Sequence, residues 1–489
     1  MRHIFKPLRN FLRKFDQLSL LRGIFHLSNH LDFQQPLPPY LDRANPNGLK
    51  GPMQLGFYLW ELDTLAREVI LHCPHKGGKE VTWPDIRGAL NRLKHAENEA
   101  FGAGDYDVFA EMTRIAHRQF HWQQHVSHAD IARYLRIYRH SGMNNVVQQE
   151  YGITSEQLIR GSFALLACYL KFEAIKPEFA DNVSKAFGFP IHSILNRFSA
   201  TLPALQEATK AAQSLDIDWA YTFHPLRLHP LVVLDGGNYT LCPLPGLLAR
   251  RFTDGLYFDF VKEPDNLSRH LGPAFQAYVG QVLEAANEGN FAVHGEARFG
   301  SAKAPKDSVD WIVEDAGGVL FVECKVLRLG HVGRAKLAPL PPIEREYEKL
   351  ARAVAQTYST LTDALKGRYP HWSDSGKPIF PIIATLDNWN IFTHVAQNQL
   401  NALVSAELAR RGIPESILET HPFTVCWIGE LERGIQVMHS VGIPAVLDGS
   451  VRGDKAGWLF SGYLWSTFAS EMNKARVLFS DDLDALVPG

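Results

Sequence analysis

The chain has 489 residues, 46% of them hydrophobic and 21% charged, with a formal net charge of −2. That length exceeds one ordinary core, so two or three domains are expected, and the near-neutral balance excludes a global basic field, so any contact with nucleic acid must be local. The five cysteines (Cys73, Cys168, Cys242, Cys324, Cys426) are scattered without a CxxC pair; they exclude a disulfide framework and fit a reducing cytoplasm. No apolar run reaches the roughly 20 residues that a membrane span requires.

Residues 1–52 read as a basic amphipathic arm and a loop. Arg2, Lys6, Arg9, Arg13 and Lys14 alternate with Ile4, Phe5, Leu8, Phe11, Leu12 and Phe15, and residues 30–52 are rich in Pro, Asn and Gly. The expected role of the arm is packing on its own protein, with a membrane surface, a nucleic acid or a partner helix as alternatives. Residues 53–224 form a predicted helical domain for sensing or targeting, with apolar residues at helical spacing and few strand signals. A predicted helical stretch over 107–138 carries His117, His121, His125 and His128, whose spacing puts all four on one helical face. Zinc is the minor reading of that stripe, with His72, Cys73 and His75 as distant ligands; packing or nucleic-acid contact is the favoured one. Two predicted helices meet at Gly152, with Thr154 or Ser155 as N-cap. A DNA-reading helix-turn-helix is disfavoured, because the second helix carries only Arg160 and then turns apolar.

Around residue 217 the texture becomes aromatic and turn-rich, and the domain boundary is expected near 225, with residues 225–489 as an α/β domain. Residues 270–286 predict an amphipathic helix and 290–299 a strand. The stretch Asp307 to Lys325, "DSVDWIVEDAGGVLFVECK", predicts a β-hairpin. Asp310–Glu314 and Val319–Val326 are its strands, and Asp315-Ala316-Gly317-Gly318 its turn, formed of residues that tolerate positive φ. With Glu314 opposite Val319, Asp310 falls opposite Glu323, about 5 Å apart on one face. Lys325 shares that face by the two-residue period, while Val322, Cys324 and Val326 point into a core. Two carboxylates so placed repel unless something positive lies between them. A hard divalent cation with oxygen ligands satisfies this, and a lysine beside it orients or helps deprotonate water, as phosphodiester hydrolysis requires. The alternative is a cross-strand salt pair on a solvated face.

Asp310 followed by Glu323-Cys324-Lys325 at the end of an apolar strand resembles the PD-(D/E)XK nuclease superfamily. The resemblance covers roughly residues 268–390, with a helix before, three strands, and a helix after. It implies a mixed central sheet flanked by helices, Asp310 and Glu323 as ligands of Mg²⁺ or Mn²⁺, and Lys325 as the catalytic lysine. Ser308-Val309 stands where a proline often precedes the aspartate. Where many members carry a Phe-Glu pair on the first helix, this chain has Phe275-Gln276; Glu284, two turns on, is the candidate substitute. The following loop carries Arg328, Arg334 and Lys336 without an acid among them, and fits a phosphate backbone. The next helix sets Lys349, Arg352, Gln356 and Ser359 opposite an apolar stripe, with Gln356 resembling a glutamine that several branches place near the site. Residues 377–387 predict a fully buried strand, residues 422–438 a further strand and helix, and the tail from Ser440 has no assignment.

The expected protein is thus an α/β nuclease domain of PD-(D/E)XK type behind a mostly α-helical N-terminal region. Its expected activity is metal-dependent endonucleolytic cleavage of nucleic acid, DNA ahead of RNA. By analogy with bacterial conflict systems it would be the effector of an antiviral defence, with a protein trigger or partner acting through the helical region. The alternative is a non-catalytic nucleic-acid-binding or scaffold protein on a decayed nuclease fold.

Overall fold

The computed structural model describes residues 3–42, 55–102, 108–123, 125–261, 263, 266–328, 341–484 and 486. They form a mostly helical N-terminal region followed by a mixed β-sheet flanked by helices, and divide into two compact units. The first comprises Met1–Tyr106, Arg118–Lys262 and Leu483–Gly489; the second comprises Asp107–His117 and Glu263–Asp482. The texture change near 225 therefore precedes the division by some 40 residues, and the helical region contributes a segment of its own to the second unit.

In the first unit the N-terminal arm is core. Helix Lys6–Leu12 leads into helix Gln17–Phe33, opened by Asp16, whose carboxylate accepts from the Ser19 N–H at 2.9 Å. Ile4, Phe5, Leu8, Leu12 and Phe15 are buried with Leu62, Leu65 and Val69 of helix Leu59–His72. The Phe5 ring lies 4.6 Å from that of Trp219. Residues 30–33 are helical rather than loop, and the helix ends at Gln34 in the left-handed conformation. A four-stranded sheet, β1 (Ala174–Ile175), β2 (Ser199–Thr201), β3 (Leu231–Leu234) and β4 (Tyr239–Leu241), runs in the order β1-β4-β3-β2. Its first two strands, two and three residues long, are too short to leave an alternating signal. The turn at Gly152 is as expected, with Thr154 capping helix Ser155–Tyr169, and that helix buries Leu158, Ile159, Leu165 and Leu166. Arg160 lies over the Phe187 ring, which suits a structural helix rather than one that reads DNA.

In the second unit β5 (Ala292–Gly295), β8 (Trp311–Glu314), β9 (Val319–Lys325), β10 (Ile379–Thr385) and β11 (Thr424–Trp427) form one sheet in the order β11-β10-β9-β8-β5. Strands β9, β10 and β11 are parallel; β5, β8 and β9 are antiparallel. Every residue of β10 is buried, as its unbroken apolar run predicts. Strands β6 (Arg298–Ser301) and β7 (Ala304–Asp307) make a separate hairpin between β5 and β8. The single strand expected over 290–299 is therefore two, broken at Glu296 and Ala297.

Four helices matter here: α1 (Gly272–Ala285), α2 (Pro341–Leu365), α3 (His394–Arg410) and α4 (Ile428–Val441). Ile312, Val319 and Phe321 of the hairpin share a core with Tyr347, Leu350, Val354 and Tyr358 of α2. On the other face Trp311 donates through Nε1 to the Gln276 carbonyl of α1 at 3.0 Å, and a Cβ at Gly280 would collide with its ring. The tail also resolves into structure, with helices Ile443–Val451, Phe460–Thr467 and Ala469–Lys474 in the second unit.

The histidine stripe does not exist as one face. Helix Val108–Gln123 ends before His125, and His128 opens the next helix. The Asn390 amide bonds the ring of His117, and His125 pairs with Asp32. Among the described residues no three His, Cys, Asp or Glu side chains form a group able to hold a metal ion, and no helix is long and apolar enough to cross a membrane. All five cysteines are free thiols.

Since Phe5 is fully buried, Phe5→Ala should cost about 3–5 kcal/mol of stability. Urea unfolding followed by circular dichroism checks this; a loss within about 0.5 kcal/mol, as for an exposed site, would return the arm to the surface.

Candidate active site

The hairpin turn sets everything that follows. Asp315 accepts at Oδ1 from the N–H groups of Gly317 and Gly318, each at 2.7 Å, and its own N–H reaches the Gly318 carbonyl at 3.0 Å. Its Oδ2 accepts from the Ile443 N–H at 2.7 Å. Neither glycine has a positive φ, contrary to the expected reason for their presence. Gly318 is required by close approach, since a Cβ there would come within 2.8 Å of the Pro444 ring, whereas a Cβ at Gly317 would meet nothing nearer than 3.4 Å. Beside the turn, Glu314 is held by the Lys377 ammonium at 2.6 Å and the Trp372 indole at 3.2 Å.

From this turn the register runs Glu314↔Val319, Val313↔Leu320, Ile312↔Phe321 and Trp311↔Val322. The ladder ends there, and Asp310, the next residue, lies outside the paired strand beside Glu323, whose charge acts on it. Strand β8 begins at Trp311, one residue later than expected. Asp310 instead uses Oδ2 to accept the Cys324 N–H at 2.6 Å, which stitches the open end of the hairpin. Lys325, two residues beyond Glu323, reaches its Oε1 with Nζ at 2.7 Å. Gln356 of α2 stands 3.5 Å from the same ammonium.

This face is not solvated. Glu323 is only 4% exposed and Asp310 is half-buried, because α2 covers the sheet next to them. Burial first, then the negative charge of Glu323, pushes the Asp310 carboxyl up to about 7. Burial likewise raises Glu323, although Lys325 pulls it down. Burial opposes the charge on Lys325, but the two carboxylates override it and raise its pKa, so the amine stays protonated at neutral pH. The Cys324 thiol, raised far above its usual range by burial and the two acids, is inert.

Both carboxylates also feel a third one. Glu296, where the chain leaves β5, raises Asp310 and Glu323 alike. It accepts from the Gln276 side chain at 3.2 Å. The pairing of Ser308 with Ala297, through Ser308 N–H to the Ala297 carbonyl at 3.0 Å and Ala297 N–H to Ser308 Oγ at 2.9 Å, holds this corner beside Asp310. Nothing in the spacing of Glu296 singles it out. The break in the strand at Glu296 and Ala297, ahead of a second hairpin, is the signal that would have found it.

The remaining candidates are less gathered. Glu284 is exposed on α1, two turns beyond Gln276. Arg328 is not on an open loop: its side chain is 6% exposed and lies 3.5 Å from Asp387. Arg334 and Lys336 lie outside the described residues. Lys349 and Arg352 are exposed on α2, each beside an acid of the same helix: Glu346 at 3.0 Å and Glu348 at 3.8 Å.

With fold and site in hand the second unit is defined as an α/β unit with a mixed five-stranded sheet and a buried acid pair at the carboxyl end of its central strand. No protein-family model, curated protein or solved structure matches the chain.

A group whose folded pKa is raised contributes stability below its unfolded value and loses it as pH climbs through the folded one. For Asp310 that window runs from about pH 4, the value of a free aspartate, to about 7. Asp310→Asn should therefore melt higher than the parent chain near pH 8, with the gap closing toward pH 4. Glu323→Gln should not share the gain, since it strips Lys325 of its ion pair. Differential scanning calorimetry at several pH values decides; a gap that is the same at every pH would contradict the placement of Asp310.

Proposed function

We propose that the second unit is a metal-dependent nuclease of the PD-(D/E)XK type, an endonuclease that hydrolyses phosphodiester bonds in nucleic acid, DNA ahead of RNA. The observation that carries the reading is the open end of the hairpin, where Asp310 accepts the Cys324 N–H, Glu323 pairs with Lys325, and the charges of Glu323 and Lys325 both act on Asp310. Raised pKa values in two neighbouring carboxylates mark a site short of positive charge. Hard oxygen donors fit Mg²⁺ or Mn²⁺, which commonly take one or two protein carboxylates and fill the rest with water and substrate phosphate. Asp310 and Glu323 would be those ligands, with Glu296 adding negative potential.

When bound, the cation supplies charge neutralisation at the phosphoryl group and acidifies water. The chain's own residues divide the rest. Lys325, held as an ammonium by Glu323, acts as donor and positive charge beside the attacked phosphate rather than as a base. Gln356 fixes the position of that ammonium from α2. The Cys324 N–H holds Asp310 in place through Oδ2. Lys349 and Arg352 lie on the same helix as Gln356, two turns and one turn before it, where a phosphate backbone would displace their acidic neighbours.

A second reading, a decayed scaffold, is favoured by one observation: Gln276 stands where a metal-binding glutamate is expected, and its amide is engaged by Glu296. Incubating the full chain with plasmid, linear duplex, single-stranded DNA and RNA, with and without Mg²⁺ or Mn²⁺, separates the two readings. The nuclease reading predicts cleavage that Asp310→Asn and Glu323→Gln each reduce at least about 10³-fold, the scale of removing a transition-state electrostatic contact. Full activity in either variant would sink the assignment, and no cleavage of any substrate would favour the scaffold.

The strip on α2 has its own check. Neutralising Lys349 and Arg352 should reduce the slope of log affinity against log salt by roughly 0.9 per residue for duplex DNA. An unchanged slope would place the nucleic acid elsewhere.

A further inference from the structure

Strands β9, β10 and β11 run parallel, and their carboxyl ends lie in register: Lys325 beside Thr385, and Thr385 beside Trp427. The three residues therefore share one face of the sheet. Open α/β sheets bind ligands beyond the carboxyl ends of their strands, and a cavity of about 560 Å³ opens there, lined by Thr385 and Trp427, by α3, and by the tail around residues 450–460. That volume is in the range of small-molecule sites. Its strand walls lie on β10 and β11, one and two strands from Glu323, and neither Asp310, Glu323 nor Lys325 lines it.

The lining is aromatic and amide-rich. Trp389, Trp427, Trp458 and Phe460 contribute rings; Asn388 and Asn401 contribute amides. Among the described residues no lysine or arginine lines the cavity, whereas Glu415 and Glu430 do; the Lys455 ammonium lies over the Trp458 ring, 5.8 Å from its centroid. Such a wall repels phosphate and accepts a flat uncharged ring with hydrogen-bonding edges. Glu430 is already committed, capping α4 through the Trp427 N–H at 3.1 Å and taking the Ser461 N–H at 2.9 Å. Glu415, exposed at the rim, accepts from Ser405 at one oxygen only. Its other oxygen is placed for an exocyclic amino group, the way a carboxylate reads a base edge.

The tryptophans are built in rather than incidental. The Trp427 ring packs across Gly429, where a Cβ would meet it at 2.6 Å. Trp389 is buried, with its indole N–H 3.4 Å from the Leu327 carbonyl, which ties the cavity wall to the segment just after Lys325. Gln397 of α3 donates to the Gly457 carbonyl and so holds the loop that presents Trp458. Trp458 is 53% exposed, a large apolar ring at the mouth of a cavity.

We propose that this cavity is a nucleobase pocket: it takes a neutral heteroaromatic base by stacking on Trp458 and Trp427, and leaves the sugar and phosphate outside. The base comes either from a free nucleoside or nucleotide, or from an unpaired position of a nucleic-acid strand. The proposal does not depend on hydrolysis at Asp310 and Glu323.

The test is a fluorescence and calorimetric titration of the full chain. The probes are adenosine, guanosine, cytidine and thymidine, their 5′-monophosphates, a single-stranded trinucleotide, and inorganic phosphate. Saturable binding of at least one nucleoside, no tighter with the 5′-phosphate and insensitive to salt, is expected for a free-ligand pocket. Binding of the trinucleotide alone would make the strand the source. In either case Trp458→Ala should weaken binding about tenfold, the scale of one base–aromatic stack. Gly429→Ala, which displaces Trp427 without touching Trp458, should weaken it independently, and circular dichroism verifies that both variants fold. Asp310→Asn should bind as the parent does, so a failed nuclease reading and a failed pocket are told apart. Binding of inorganic phosphate as strong as that of any nucleoside, no binding of any base-bearing probe, or unchanged binding in both tryptophan-directed variants would overturn the proposal.

Discussion

The second unit depends on one turn. Asp315 takes three backbone N–H groups, two from its own hairpin and one from Ile443 in the tail, and in doing so fixes both the length of the turn and its seat. Because the side-chain period of a strand is two, one residue more or less would send Asp310 to the opposite face and dissolve the acid pair. The neighbouring contacts of Glu314 with Lys377 and Trp372 hold the same register from the other side. Sheet geometry, electrostatics and candidate chemistry all descend from it.

The cost of that register is electrostatic. Two carboxylates and a lysine lie beneath α2 with a third acid close by, and the resulting acidities are set by burial before they are set by neighbours. Lys325 compensates one negative charge, and the Cys324 N–H partly compensates another. A solvated salt pair would show none of this: its groups would sit in water, titrate near their ordinary values and contribute little.

The hairpin, the buried strand β10 and the helix α2 were legible in the sequence, because each is a local pattern: turn chemistry, alternation, or an unbroken apolar run; Gln356 was singled out only through the family resemblance. What was not legible is non-local. Glu296 gains its place only because the chain leaves the sheet for a second hairpin and Ser308 folds back on Ala297. The division after residue 262, and the inclusion of Asp107–His117 in the second unit, follow from packing that composition cannot reveal. The histidine stripe failed because helical periodicity was extended past the true end of the helix at Gln123. The aromatic cavity joins residues from 385 to 460, and its walls meet through parallel strand pairing and through the Gln397 bond to the Gly457 carbonyl.

The central claim, that Asp310 and Glu323 are placed to share a divalent cation, is tested most directly by calorimetric titration of the full chain with Mn²⁺. The account predicts saturable binding that Asp310→Asn and Glu323→Gln each abolish while the melting profile remains cooperative. Absence of Mn²⁺ binding in the parent chain, or binding that survives both substitutions, would contradict it.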